Sequence, residues 1–383
     1  MLFSVVIIDL IGFGIVMPVL PFYAKEFGAS ATTLGFLFTV YAAAQFLCAR
    51  AWGRLSDRIG RRRVMLLTIA GTALSLLGLG LARSLVWLFV ARAVGGAFAA
   101  NIGVASAYVA DVTAEQDRTR WMGMLGASFG VGFVLGPAIG GALAPFGYSV
   151  PMLVAAGLAG ANWIHALISL PDPQTRTPSS TGEVLPVGAL REPLIRRLFI
   201  ANFVFSVAVT QLETVFALFM GDRFGYDARE VAVLLIAMAV LMGGIQGGGM
   251  KRLAARWSER SLAIAGSVLL AVGFLAVPGA DSVALLLAPL ALCAVGRAIL
   301  QPSLMSLASF AAGTRARGSA MGTFQASASL ARVLGPLAAG WLYDRAHAAP
   351  FVLAGALLVT VAIQARGLPA RGPVAFEPPL AEV

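Results

Sequence analysis

The sequence predicts an all-α membrane protein of twelve transmembrane helices in two pseudo-symmetric six-helix bundles. Composition, apolar runs of spanning length and an internal repeat predict it. Of 383 residues, 59% are hydrophobic and 12% charged, against roughly a quarter charged in an average soluble domain. Mean hydropathy is +0.86. Such a chain cannot cover a core with a polar shell, so lipid is the solvent for most of it. The 43 Gly and 19 Pro suit that medium: Gly lets helix backbones approach, and neighbours re-satisfy groups that Pro frees.

A spanning helix takes about 20 mostly apolar residues. Runs of that kind lie near 2–24, 33–53, 64–82, 85–109, 121–143, 150–170, 198–221, 230–250, 261–279, 283–310, 318–342 and 350–366. The first is too long for a signal-peptide core, contains Pro18 and Pro21 and lacks a preceding basic region, so it reads as an uncleaved span. The runs are continuously apolar rather than alternating, which excludes a β-barrel. A polar stretch, 171–197, opens with Pro171-Asp172-Pro173 and continues through Thr177-Pro178-Ser179-Ser180, as a flexible linker does. The expected domains are an N-terminal bundle (1–170), a cytoplasmic linker (171–197), a C-terminal bundle (198–366) and a cytoplasmic tail (367–383).

Placing the N-terminus inside assigns 20 of the 28 Lys and Arg to inner loops and tail, including Arg50, Arg54, Arg58, Arg61, Arg62 and Arg63 in the 2–3 loop. Basic loops stay cytoplasmic, so both termini are expected inside a bacterial-type inner membrane. The bases are dispersed among short loops, so the net charge of +10 reports topology and not nucleic-acid binding. Cys48 and Cys293 sit in apolar runs, and no Cys/His cluster has metal-ligand spacing. No metal and no cofactor are expected. An enzyme is disfavoured by the lack of a soluble domain, a His/Asp/Ser constellation or a nucleotide-binding loop.

The repeat is legible by eye. Leu135-Gly136-Pro137 recurs as Leu334-Gly335-Pro336, and the same offset pairs Met122-Gly123 with Met321-Gly322, Ala127-Ser128 with Ala326-Ser327 and Pro151 with Pro350. Leu55 and Arg58 pair with Leu253 and Arg256, while Asp57 becomes Ala255. Two similar halves imply a cavity at their interface near the midplane, opened alternately by rocking.

Gly53-Arg54-Leu55-Ser56-Asp57-Arg58-Ile59-Gly60-Arg61-Arg62 resembles the 2–3 loop signature of the major facilitator superfamily. Gly53 and Gly60 permit a tight turn, and Asp57 can face a helix N-terminus or pair with an Arg. With Asp57, Arg58, Arg61 and Asp111, these glycines form the expected inner gate. Span 5 carries Gly123, Gly132, Gly136-Pro137 and Gly140-Gly141, which looks like the antiporter motif of the family's drug/proton exchangers. Gly132, Gly136 and Gly140 share one smooth face, and Pro137 can bend the span. Met17-Pro18-Val19-Leu20-Pro21, Gln45-Phe46-Leu47-Cys48-Ala49 and Tyr108-Val109-Ala110-Asp111-Val112-Thr113 resemble tetracycline efflux proteins. Departures are Gly95, where the span 4 motif carries a polar residue, and spans 3 and 10, which lack membrane acids. The resemblance implies the major facilitator fold, a monomer, and export against protons.

Charges within spans are expensive and hence functional candidates. Asp9 and Glu213 are candidates for proton exchange, because burial favours a neutral carboxyl and a nearby Arg the charged one; alternatives are a structural bond for Asp9 and simple solvation for Glu213. Arg92 matches the span 4 motif position that the resemblance implicates in proton handling, with a counter-ion role equally open. Further substrate-cavity candidates are Gln45, Asn101, Gln211, Arg297, Gln325 and Arg332. His165 reads as a packed, hydrogen-bonded residue. The expected partners are a small-molecule substrate, protons and the lipid bilayer. The expected function is proton-coupled export of a hydrophobic or amphiphilic drug-like compound, as in multidrug or tetracycline-like efflux; the alternative, favoured by Arg92, Arg297 and Arg332, is export of an endogenous metabolite or organic anion.

Overall fold

The computed structural model describes residues 1–113, 117–171, 189–311 and 313–370, without the side chains of 110, 118–120, 122, 189 and 313–320. Most of the expected linker, 172–188, and the tail from 371 lie outside the described residues. Every regular element described is helical: α1 (Leu2–Glu26), α2 (Ala31–Ile59), α3 (Arg61–Gly80), α4 (Leu85–Phe98), α5 (Asn101–Val112), α6 (Arg118–Leu143), α7 (Ser149–Ser169), α8 (Pro193–Phe224), α9 (Ala228–Gly244), α10 (Met250–Arg256), α11 (Glu259–Ala276), α12 (Val283–Ala311), α13 (Gly313–Tyr343) and α14 (Ala349–Arg366).

Among the described residues, eleven stretches of helix are long and apolar enough to cross a bilayer. The predicted span 318–342 lies on α13, which has 31 residues but is more polar, with Gln325, Arg332 and several serines. At about 1.5 Å per residue it still exceeds a hydrocarbon core of ~30 Å. Two predicted spans are not single helices. Span 4 is broken into α4 and α5, and span 8 passes from α9 through a π-helical segment, Ile245–Gly249, into α10. Prolines within α1, α6, α12 and α13 are tolerated because neighbours cover the exposed carbonyls.

Packing divides the chain into two compact units. The first comprises Met1–Val184, Val209–Val240 and Ser329–Pro350. Within it α1 packs against α6 and α7, α3 against α4 and α7, and α2 against α4. Val5, Val6, Leu10, Met65, Ile69, Val104 and Tyr108 form its core, and buried Asn162 ties α7 to α1 by donating to the Val5 carbonyl at 2.9 Å. The second comprises Leu185–Ala208, Leu241–Ala328 and Phe351–Val383. There α11 meets α12 through glycines: a methyl on Gly273 would stand 2.7 Å from Cys293 Sγ, and one on Gly296 2.6 Å from the Leu270 nitrogen. In lipid, where apolar side chains gain nothing by leaving solvent, such close approach is what holds helices together.

Candidate transport site

The break in span 4 builds the interior of the first unit. α4 ends at Phe98 and α5 begins at Asn101, which frees backbone carbonyls at membrane depth. Two α2 side chains seven residues apart, hence on one helix face, answer them: Gln45 Nε2 donates to Ala99 O at 2.9 Å and Trp52 Nε1 to Ala97 O at 2.5 Å. Asn101, opening α5, donates from Nδ2 to Asp9 Oδ1 at 2.7 Å. Asp9 is half-buried and has no ion pair among the described residues.

On α4, Gly96 lets α2 come close, since a methyl there would overlap the Tyr41 carbonyl, while Gly95 faces α3, where a methyl would overlap Ser75 Oγ. Arg92, one turn earlier, thereby lies under α2, with its guanidinium 3.9 Å from the Tyr41 ring centroid and 5.6 Å from that of Phe38. Tyr41 is followed by Phe13 at 6.1 Å, Phe133 at 6.3 Å and Phe129 at 6.5 Å between successive ring centroids. These rings, drawn from α2, α1 and α6, are all half-buried.

At the end bearing the 2–3 loop, Gly60 takes φ +105° and turns the chain from α2 into α3. Arg61 is 1% exposed. Its Nε donates to Asp111 Oδ2 at 2.9 Å and its Nη1 to Ser56 Oγ at 2.5 Å, and it also pairs with Asp57. One guanidinium thus joins α2, α3 and α5. Gly53 makes no turn, contrary to expectation, because α2 continues through it to Ile59; its carbonyl accepts from Ser56 Oγ at 2.7 Å, and Arg58 is exposed.

At the other end, segments remote in sequence meet within the first unit. Asp222 accepts from Lys25 Nζ at 2.7 Å and from the Tyr343 hydroxyl at 3.0 Å. Asp344 accepts from the backbone N–H groups of Ala31 at 3.0 Å and Thr32 at 2.8 Å, while Ser30 Oγ accepts from Thr33 N–H. The first turn of α2 therefore has its donors satisfied by its own N-cap and a carboxylate over 300 residues away. Burial works to raise the Asp344 pKa, but hydrogen bonds from Thr32, Ala31 and Ser30 outweigh it and hold the carboxyl below the ordinary aspartate value. Tyr148 donates to Asp227 Oδ1 at 2.9 Å, and Asp227 N–H donates to Glu230 Oε2 at 2.9 Å, the back-reaching half of a capping box at the start of α9. Burial, then the Asp227 hydrogen bond and nearby acids, push the Tyr148 hydroxyl up, so it stays a donor.

The span 5 glycines face α1: a methyl on Gly132 would stand 2.5 Å from Leu10 Cβ, on Gly136 2.5 Å from Gly14 Cα, and on Gly140 2.6 Å from Ile15 O. Gly141 turns to Ala232 of α9, and Gly123 meets open space. Pro137 lies within α6. Of the cavity candidates, Gln45 and Asn101 have their amide donors committed as above, and fully buried Gln211 donates to Gly335 O at 3.2 Å. Gln325 and Arg332 are exposed, and Arg297 and Glu213 half-buried. His165 Nε2 lies 2.8 Å from Ser4 Oγ. Sequence reasoning missed the break in span 4 and the Asp344 cap, both of which depend on partners that lie on other helices.

Spanning helices built around interior charges and a glycine seam are the architecture of a multi-pass membrane protein. The family model described as Major Facilitator Superfamily matches residues 2–253 and 248–378. Tetracycline resistance protein, class D, of Salmonella ordonez is 32% identical over 348 residues, 89% of this chain and 88% of that protein. Multidrug resistance protein 2 of Bacillus subtilis (strain 168) is 29% identical over 378 residues, 94% of this chain and 92% of that one. Among solved structures, the human organic anion transporter MFSD10 (TETRAN) shares the fold, with a TM-score of 0.72 over 95% of this chain and 97% of that chain at 24% identity. The chain belongs to the major facilitator superfamily; it is a transporter of small molecules and not an enzyme.

Proposed function

We propose that this transporter exports an amphiphilic, drug-like compound across a bacterial-type inner membrane in exchange for protons, by alternating access, as a monomer with both termini cytoplasmic. The observation that carries the proton coupling is Asp9: a half-buried carboxyl inside a span, held by the neutral amide of Asn101 and by no guanidinium among the described residues. Such a carboxyl is not locked in its charged form and can exchange a proton as access alternates. Glu213 on α8 is the second exchange site. The Asp57–Arg61–Asp111 cluster serves as the inner gate, and the contacts of Asp222 and Asp344 as the outer one. The tetracycline and multidrug resistance relatives support an amphiphilic cargo. Inward movement of one proton supplies about 2.3 kcal/mol per 100 mV, besides the pH gradient.

The test is uptake of tetracycline and of a cationic dye into inverted vesicles energised by a proton gradient. Wild-type protein accumulates at least one of them, a protonophore abolishes it, and Asp9→Asn lowers the gradient-driven rate by about tenfold or more while leaving binding in place. Unchanged gradient-driven uptake in both Asp9→Asn and Glu213→Gln would sink the mechanism.

A further inference from the structure

A cavity of about 660 Å³ opens at the end of the first unit opposite the 2–3 loop, within the range of about 300–1,000 Å³ that small-molecule sites occupy. It lies where α1 and α3 end and α4 and α7 begin, so its walls stand at the level of lipid headgroups. Two rings of the wall are pinned by their polar ends to the end of α3: the Tyr23 hydroxyl donates to Ala82 O at 3.2 Å and Trp87 Nε1 to Gly78 O at 2.8 Å. Phe27 packs on Tyr23, with ring centroids 5.3 Å apart. Gly80 fixes the same end of α3 against α7, since a methyl there would stand 2.6 Å from Leu153 Cδ2. The wall also carries one acid, Glu26, and one base, Arg83. Both are exposed, and neither enters an ion pair among the described residues, with the other or with any third group. Lys25, next to Glu26 in the chain, is committed to Asp222 at 2.7 Å. Leu81 and Trp87 line the cavity as well and are exposed; at this depth such apolar surface is covered by lipid.

We infer that this cavity binds the headgroup of a zwitterionic phospholipid, with the ammonium at Glu26, the phosphate at Arg83, and the acyl chains leaving past Leu81 and Trp87. An acid and a base that line one cavity without pairing match a ligand that carries both opposite charges and is neutral overall. A carboxylate beside aromatic rings suits an ammonium, which is attracted by the ring faces as well as by the acid. A guanidinium suits a phosphate, whose oxygens accept its N–H groups in pairs, and the Ser149 hydroxyl on the same wall is a further donor. Exposed charge pairs are individually weak. A lipid overcomes that weakness where a free aminoalkyl phosphate does not, because its chains hold the headgroup at the mouth of the site and raise its effective concentration. The site is independent of what the protein exports.

Phosphatidylethanolamine and phosphatidylglycerol with the same acyl chains share the phosphate and differ in the ammonium group. Native mass spectrometry of the full-length protein, titrated with each, reads their binding one lipid at a time. Phosphatidylethanolamine binds about fivefold or more tighter. Glu26→Gln erases that preference and leaves phosphatidylglycerol within about twofold of its wild-type affinity, which shows that the variant is folded. Arg83→Gln weakens both lipids by about fivefold, and Arg83→Lys, which keeps the charge, recovers most of the loss. Glycerophosphoethanolamine, the same headgroup without chains, does not displace the lipid at about a hundredfold excess. Equal binding of the two lipids by the wild type, or a preference that survives both Glu26→Gln and Arg83→Gln, overturns the site. Displacement by the chain-free headgroup at concentrations comparable to the lipid overturns its assignment to a membrane lipid.

Discussion

Asp344 sits just past the end of α13 and carries out the work of a helix cap for α2, a helix of the other sequence half. Its two backbone hydrogen bonds place negative charge at the positive end of the α2 dipole. Because its pKa is lowered in the folded protein, the contact is complete above the unfolded aspartate value, near 3.8, and is lost only as pH falls through the lowered one. The melting-temperature deficit of Asp344→Asn is therefore expected to be constant from about pH 5 to 8. The group is largely solvent-exposed, so the deficit corresponds to about 1 kcal/mol or less. A deficit that vanishes between those pH values would show that Asp344 is already protonated in that window. Arg61 is the opposite case: fully buried between two carboxylates, its strength lies in the loss that follows from removing any one partner. The Arg61–Asp111 meeting was legible in the sequence, since both lie at one expected membrane face. The Asp344 cap was not, because a hydrogen bond to a distant backbone leaves no side-chain pattern.

For helix α6 the spacing of glycines was readable, and its outcome separates positions within one motif. Gly132, Gly136 and Gly140 recur at four-residue steps and press on α1. Gly123 precedes Gly132 by nine residues, two and a half turns, and so lies on the opposite face, where a methyl meets nothing within 4 Å. A methyl on Gly136 must push apart two backbones, which no rotamer change relieves. Gly136→Ala is therefore expected to cost about 1–3 kcal/mol, and Gly123→Ala to stay within about 0.5 kcal/mol of wild type. Chemical or thermal unfolding in detergent distinguishes them, and equal stability of the two variants would refute the assigned face. The break of span 4 lay beyond such reasoning, because 85–109 as a whole is long and apolar enough to read as one span and the partners that permit the break belong to another helix.

Across the whole molecule the repeat has a structural counterpart. The glycine of each Leu-Gly-Pro approaches the first helix of its own half, Gly136 against Gly14 and Ile11, Gly335 against Thr210, and the offset that pairs the glycines also pairs Ile11 with Thr210. The run of apolar spans and the equivalence of the two Leu-Gly-Pro helices were thus legible from pattern alone. Which ends of helices meet is set by a conformational equilibrium rather than by a pattern in the chain, so the joining of 209–240 and 329–350 to the first unit was not. If the contacts around Asp344 open in each cycle, linking Thr32→Cys to Asp344→Cys with a short reducible crosslinker, in a chain with Cys48 and Cys293 replaced by Ser, stops export, and reductant restores it. Undiminished export after complete linkage would exclude opening at that end. Span 4 bears finally on the order of assembly. A membrane helix ordinarily satisfies its own backbone and can insert alone, but the carbonyls of Ala97 and Ala99 rely on Trp52 and Gln45. Span 4 therefore reaches its native shape only once span 2 stands beside it, and these two helices mature as one unit.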